Sequence, residues 1–399
     1  MTGEAASPPA RTLGAYELLR PLARGGMADI YLARLARRGG SGPLERHVAI
    51  KVLDEARAAE PEARAMFLDE ARVCALLDHE NIASVLDVAV TRDGQHFLAM
   101  EYVHGVDLRK LLCAAARARY AVPFGTSLAI VAAAAAGLEY AHRKCGPDGT
   151  PLRLVHRDVS LSNIMVGHDG AVKVVDFGIA STTLQTVHTS PGVVRGKASY
   201  MSPEQCIGEQ VDHRTDVFAL GIVLYELTTG SRCFQGTTDF DRMLAVVRSD
   251  YIPPSRIVAD YPHDLEHVVR TALANDPAQR YASAAAMIDA LDRIVRSRSW
   301  TGGVAAIARM MHEVFGTVAK PWEAVPPAPV PEPTARQAPS WWRASLVRGE
   351  AHVPTLRATR FARGTHVDGI VDDELCDDEA PTRGRRPLPR RSSAPVHAA

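Results

Sequence analysis

The feature that most constrains the fold is a change of texture at Gly105. Before it, short strand-type segments follow one another from Tyr16: YELLRPLA, ADIYLARL and HVAIKVL. Glycine-containing breaks at 25–26 and 37–45 separate them, as in antiparallel hairpins. One charged segment, EPEARAMFLDEARVCALL at 60–77, instead spaces Phe67, Cys74 and Leu77 as an amphipathic helix does. Strand text resumes at 82–90 and 96–103, with a DG turn at 93–94. After Gly105 the text turns helical. LRKLLCAAARARY and TSLAIVAAAAAGLEYAHRKC are rich in Ala and Leu, the strongest helix formers. Thr126 is expected to cap the second of these helices, which runs to the break at Gly146-Pro147. Helical patterns return over 212–298. A small strand-rich lobe followed by a larger helical one predicts an α+β arrangement with a cleft between them.

With 399 residues, 46% hydrophobic and 23% charged, the chain can bury a core of this size. Its 46 basic residues balance 46 acidic ones, which argues against a nucleic-acid or membrane-surface partner. The cysteines (Cys74, Cys113, Cys145, Cys206, Cys233, Cys376) lack C-x-x-C spacing, as expected of reduced thiols in a cytoplasmic protein. The N-terminal text has no apolar signal core. The longest apolar run, LAIVAAAAAG at 128–137, falls short of the ~20 residues of a bilayer span, so no membrane span is expected. Near the other end, VAAIARMMHEVFG places Val304, Ile307, Met311 and Val314 on one helical face, predicting a helix packed on the larger lobe. From Pro321 the text becomes Pro-rich and then charged, and such text buries little.

The chemistry sits at three places. In ARGGMADIYLA, 23–33, Gly25 and Gly26 allow backbone N–H groups to approach phosphates without a Cβ in the way. Alone, such a pair is an ordinary hairpin turn. Lys51 ends the strand VAIK, and Glu70 in FLDEAR lies on the following helix. A lysine at a strand end is commonly a solvated edge residue, but paired with Glu70 its ammonium can be aimed at phosphate oxygens. The third place holds Asp158 and Asn163 in HRDVSLSN, with Asp176 at a strand end in VKVVDFG. Phosphoryl transfer from ATP needs metal ions bridging the phosphates and a carboxylate that orients the incoming hydroxyl. Asp and Asn oxygens suit Mg²⁺, with Mn²⁺ as the alternative. Singly these residues would be turns or caps; together, after a glycine loop and a lysine, they point to phosphotransfer.

In RGGMADIYLA, VAIK, FLDEAR, MEYVHGVDL, HRDVSLSN, DFG, SPE, DHRTDVFALG and NDPAQRY, over roughly 16–298, the chain resembles the eukaryotic-type (Hanks-type) Ser/Thr protein kinases of bacteria. The resemblance implies a bilobal fold, with a small antiparallel β-sheet lobe carrying one helix and a larger, mainly helical lobe. It implies that Lys51 holds the α/β phosphates, Glu70 holds Lys51, Asp158 orients the substrate hydroxyl, and Asn163 and Asp176 bind Mg²⁺. It assigns adenine to backbone groups of Glu101 and Val103 behind a Met100 gatekeeper. Ile30, Ala49 and Met165 would sandwich the ring, and Asp107 would reach the ribose. Glu204 would pair with Arg280, and Asp216 would anchor the catalytic loop. The implied domains are a disordered 1–15, a kinase domain 16–298 (lobes 16–103 and 104–298), an appended helix 299–320, and a disordered tail 321–399 available for docking partners.

The implied activity is ATP-dependent phosphorylation of Ser/Thr in proteins, including the chain itself. The alternative is a nucleotide-binding pseudokinase scaffold; a small-molecule phosphotransferase is disfavoured by SPE and the Glu204/Arg280 pair. Three positions depart from the family pattern. Ala23 and Ala28 replace the outer glycines of the loop, Ser160 stands where a lysine is usual, and Lys197 stands where a threonine is usual. A lysine has left one side of the catalytic aspartate and appeared on the other, so Lys197 is expected to return the missing charge, with Ser160 as its small partner. Without the usual lysine, Ser/Thr over Tyr specificity rests on the resemblance alone. Between Asp176 and Glu204, Ser181, Thr182, Thr183, Thr186, Thr189 and Ser190 are candidate phosphosites, with Arg157 as receiver.

Overall fold

A computed structural model describes residues 12–24, 28–35, 46–177 and 197–323, except for the side chains of Arg24, Glu55, Ala56 and Lys197. Six strands form one antiparallel sheet: β1 (Thr12–Leu13), β2 (Tyr16–Arg24), β3 (Ala28–Leu35), β4 (His47–Leu53), β5 (Val85–Val90) and β6 (His96–Glu101). Their spatial order is β1-β2-β3-β4-β6-β5. Between β4 and β5 come a one-turn helix α1 (Glu55–Ala58) and the longer α2 (Pro61–Cys74). Pro61 opens α2 at the position where a missing N–H costs nothing. The alternation of β4 is clean: Val48, Ile50 and Val52 enter one apolar cluster, while His47, Ala49 and Lys51 share the opposite face. Phe67 and Ala71 of α2 close a second cluster with Leu53 and Leu98.

The chain then crosses to β7 (Gly105–Asp107), α3 (Leu108–Arg117) and α4 (Phe124–His142). A second sheet joins β7 to β8 (Ile164–Gly167) and β9 (Val172–Val174). The remaining helices are α5 (Pro203–Ile207), α6 (Arg214–Thr229), α7 (Asp239–Arg248), α8 (His263–Ala272), α9 (Ala284–Arg298) and α10 (Val304–Phe315). α6 is buried along almost its whole length, including its polar residues Thr215, Asp216, Glu226, Thr228 and Thr229. α4 is long and apolar enough to cross a bilayer, longer than the run picked out in the sequence, but it packs against α6 and α9 as a core helix of this lobe.

Several expectations are corrected. Thr12 and Leu13, assigned to a disordered arm, pair with Glu17 and Tyr16 because Leu13 buries its side chain in the small-lobe core. Gly14 makes the reversal at φ +58, where any Cβ would press on the Phe97 ring. Thr126 does not cap α4. Pro123 does, and its carbonyl accepts from both Thr126 and Ser127 N–H, so both residues sit buried in the first turn. The buried stripe of α10 is Ala306, Ile307, Met310 and Met311, whereas Val304 is exposed at the helix start. There the Val304 carbonyl lies so close to Gly170, in the β8–β9 turn at φ +89, that a Cβ would collide. Residues 321–323 are not tail: Trp322 stacks on His47 of the small lobe. Among the described residues, Cys74, Cys145, Cys206 and Cys233 are free thiols.

If α10 is an integral part of the larger lobe, Met311→Ala lowers unfolding stability by about 2–5 kcal/mol in a urea titration, and Val304→Ala by less than about 0.5 kcal/mol.

Candidate active site

The lobes meet at a cluster of three charges. Lys51 Nζ, on the cleft face of β4, lies 2.9 Å from Glu70 Oε1 on α2 and 3.0 Å from Asp176 Oδ1. Burial alone would discharge the lysine, but the Asp176 and Glu70 carboxylates outweigh it and hold the ammonium above its ordinary value. Burial pushes the Glu70 carboxyl up, Lys51 pulls it back, and Asp176 pushes it up again. One ammonium therefore faces two carboxylates, an arrangement with excess negative charge.

Asp176 follows β9 in the left-handed region, at φ +54. The next residue, Phe177, is buried and its ring lies 4.6 Å from that of His156. His156 accepts from the Asp158 N–H at Nδ1, so its Nε2 carries the proton and donates to the Val175 carbonyl at 3.1 Å. The two loops that carry Asp158 and Asp176 are thus stitched together through one imidazole.

Asp158 is held from the other side by Asn163. The amide of Asn163 reaches both the backbone carbonyl of Asp158 (2.7 Å) and its carboxylate (2.9 Å). Both are acceptors, so the atom facing them is Nδ2, and Oδ1 points elsewhere. Asn163 ends the short 3₁₀ turn Leu161–Asn163, entered through Ser160, which is 5% exposed. An Asn Oδ1 and the Asp176 carboxylate beside an excess of negative charge are hard oxygen donors of the kind Mg²⁺ takes, so the donor set fits a divalent ion.

The loop itself hangs on Asp216, near the start of α6. Its carboxylate accepts from the N–H groups of His156 and Arg157, each at 2.8 Å, and from His142 Nε2 at 2.7 Å. Burial pushes Asp216 up, yet His142, His156 and the amide donors prevail and keep its carboxyl below the ordinary aspartate value. Arg157 sits at φ +65, a conformation costing about 1–3 kcal/mol for a residue with a side chain. It is fixed there at both ends, since Gln205 Nε2 donates to its carbonyl at 3.0 Å. Gln205 belongs to a capping box with Ser202 at the start of α5. The same segment supplies Glu204, whose two oxygens meet Arg280 Nη1 and Nη2 at 2.7 Å each. Arg280 spends further donors on the carbonyls of Ala274, Arg214 and Asn275, which satisfies a buried guanidinium.

The remaining expected residues divide. Ala49 is buried on the same β4 face as Lys51, with Ile30 opposite Lys51 on β3 and Met165 opposite Asp107 on β8. Met100 and Glu101 end β6. The Glu101 N–H donates to the Ser84 carbonyl, and its side chain pairs with Lys173 at 2.9 Å. Asp107, expected at the ribose, accepts from Lys110 N–H as the N-cap of α3 and pairs with Lys110 Nζ at 3.0 Å. Val103 lies in the connection to β7, and Ala23 pairs with Ile30 near the end of β2. Gly25, Gly26 and the hydroxyls of 181–190 fall outside the described residues, as does the Lys197 side chain. Lys197 opens the 3₁₀ turn Lys197–Tyr200.

Sequence reasoning missed what fastens that turn. Tyr200 Oη donates to Glu226 at 2.6 Å, and Cys233 N–H donates to the other Glu226 oxygen. A lone carboxylate inside GIVLYELTTG was the available signal.

A family model described as protein tyrosine and serine/threonine kinase matches residues 16–290. The chain belongs to the protein kinase family. The tyrosine-protein kinase MasK of Myxococcus xanthus is 39% identical over 303 residues, covering 76% of this chain and 46% of that protein. The serine/threonine-protein kinase PknB of Mycolicibacterium smegmatis is 39% identical over 284 residues, covering 70% of this chain and 43% of that protein. The chain thus spans under half the length of these curated relatives. The crystal structure of the Mycobacterium tuberculosis PknI kinase domain matches with a TM-score of 0.52 and 31% identity, covering 72% of this chain and 99% of that one. Kinase membership implies ATP and a divalent metal, for which the cluster above has the ligands.

The Asp216 anchor has a pH signature. Its folded value lies below its unfolded one, so its contribution is complete above the ordinary aspartate range, near 4, and is lost as pH falls through the folded value. In urea titrations, the stability gap between the parent and Asp216→Asn should stay constant from about pH 7 to 5 and narrow below about pH 4.

Proposed function

We propose that the chain is an ATP-dependent protein kinase that phosphorylates serine and threonine hydroxyls, its own included, in the cytoplasm. The observation that carries this reading is the joint presence of the Lys51–Glu70 pair, the Asp176 contact and the Asp158–Asn163 bonds in one arrangement. Lys51 binds the α/β phosphates, with its charge kept by two carboxylates. Asp158, steadied by Asn163, accepts the bond from the incoming hydroxyl and aligns its oxygen with the γ-phosphorus. Asn163 and Asp176 hold Mg²⁺ or Mn²⁺, which when bound offsets the charge of the phosphates. Adenine lies under Ala49 and Ile30 and over Met165, against the backbone of Glu101 and Val103.

Lys197 supplies the charge that Ser160 does not. Its backbone is tied, through Tyr200 and Glu226, to the helix that carries Asp216, so the turn it opens is anchored to the same helix as the catalytic loop. The kinase domain takes residues 16–298, and the tail beyond 323 is the segment available for docking partners.

The test is incubation of the pure chain with labelled ATP and Mg²⁺ or Mn²⁺, beside Asp158→Asn and Lys51→Met, with phosphoamino-acid mapping. Phosphoserine or phosphothreonine in the parent alone is the expected result. Phosphotyrosine alone would move the specificity towards the MasK-like relative, and no transfer by the parent overturns the proposal. In the same assay, Lys197→Ala should lose about 100-fold and Ser160→Ala far less, while Ser160→Lys with Lys197→Thr keeps substantial activity. Equal rates for Lys197→Ala and the parent would sink the role given to Lys197.

A further inference from the structure

The chain after α10 returns to the small lobe. Phe315, the last residue of α10, meets His168 edge-on at 5.8 Å, and His168 meets His104 at 4.9 Å between ring centres. Residues 316–323 then pass along the connection between the lobes, and Trp322 lands on His47 with rings 3.9 Å apart and 8° from parallel. Tyr102 packs its ring edge against Trp322 at 5.8 Å. Val318, Ala319 and Pro321 border a cavity of about 470 Å³ facing Arg20, Tyr102, His104 and His168. The ring contacts of this segment with the small lobe run through the Trp322 indole.

What that indole touches matters. His47 is the first residue of β4, on the face shared by Ala49 and Lys51. A strand is stiff along its length, so a hold on His47 is a hold on the adenine-covering alanine and the phosphate-binding lysine. The other end of the strap is equally firm, because Ile307, Met310 and Met311 bury α10 in the larger lobe. The two anchors lie on opposite lobes, and the segment between them bridges the hinge.

We propose that Trp322 is a positioning residue for nucleotide binding: its stack on His47 clamps β4 to the larger lobe across the hinge and presets the width of the cleft. The inference rests on the ATP-dependent reading above and concerns the regulation of that site. A closed cleft lowers the ordering cost of binding, so the clamp acts on nucleotide affinity more than on the chemical step.

The experiment is calorimetric titration of the full chain with Mg²⁺ and a non-hydrolysable ATP analogue, using Trp322→Ala, His47→Ala, the double variant and Trp322→Phe. Each single alanine variant should bind about fivefold more weakly, the double no more weakly than either single, and Trp322→Phe close to the parent. With a protein substrate, KM for ATP should rise by the same factor at unchanged kcat, which a general loss of folding would not produce. Parent-like affinity in Trp322→Ala, or losses that add in the double variant, overturns the clamp while leaving the kinase reading intact. No analogue binding by the parent itself overturns both.

Discussion

Asp216 is the interaction on which the rest of the site depends. A fully buried carboxylate is costly unless its charge is matched, and here two backbone amides and an imidazole converge on it. Those amides belong to His156 and Arg157, so the carboxylate fixes the residues leading directly into Asp158. It also holds Arg157 in a backbone conformation that an unsupported chain would leave. Because Asp216 sits on a helix buried nearly throughout, the loop inherits the rigidity of the larger lobe's core.

From that anchor the order spreads outward. His156 carries it to Val175 and Phe177, and so to Asp176, which meets the lysine of the other lobe. Gln205 carries it to the segment bearing Glu204 and Arg280. The small lobe contributes only Lys51 and Glu70 to the charge cluster, and its alignment depends on contacts across the hinge. The lobes are joined by the backbone bonds of Asn81 and Ala83 with Val174, the Lys51–Asp176 and Lys173–Glu101 pairs and the Trp322–His47 stack.

Much of this was legible in the sequence for physical reasons. VAIK shows its strand by alternation, and a period of two puts Ala49 and Lys51 on one face. HRDVSLSN and DFG carry their groups at spacings that a short turn and a strand end translate directly into neighbouring positions. What escaped depends on partners distant in sequence. Pro123 rather than Thr126 caps α4 because the lobe buries Thr126. Glu226, His142 and Trp322 matter through residues 26, 74 and 275 positions away. The swap of Lys197 for Ser160 is visible only against the family pattern.

The most direct test of this account is the turnover of Asp216→Asn measured at saturating ATP and protein substrate. Asparagine keeps the size of the side chain but turns an NH₂ towards one of the two amides, so the loop must shift. Kcat should fall about 100-fold with KM for ATP little changed, since the displaced group is the one that aligns the hydroxyl. A kcat equal to the parent's, in a variant shown to be folded, would contradict the claim that this buried carboxylate holds the catalytic loop in its working geometry.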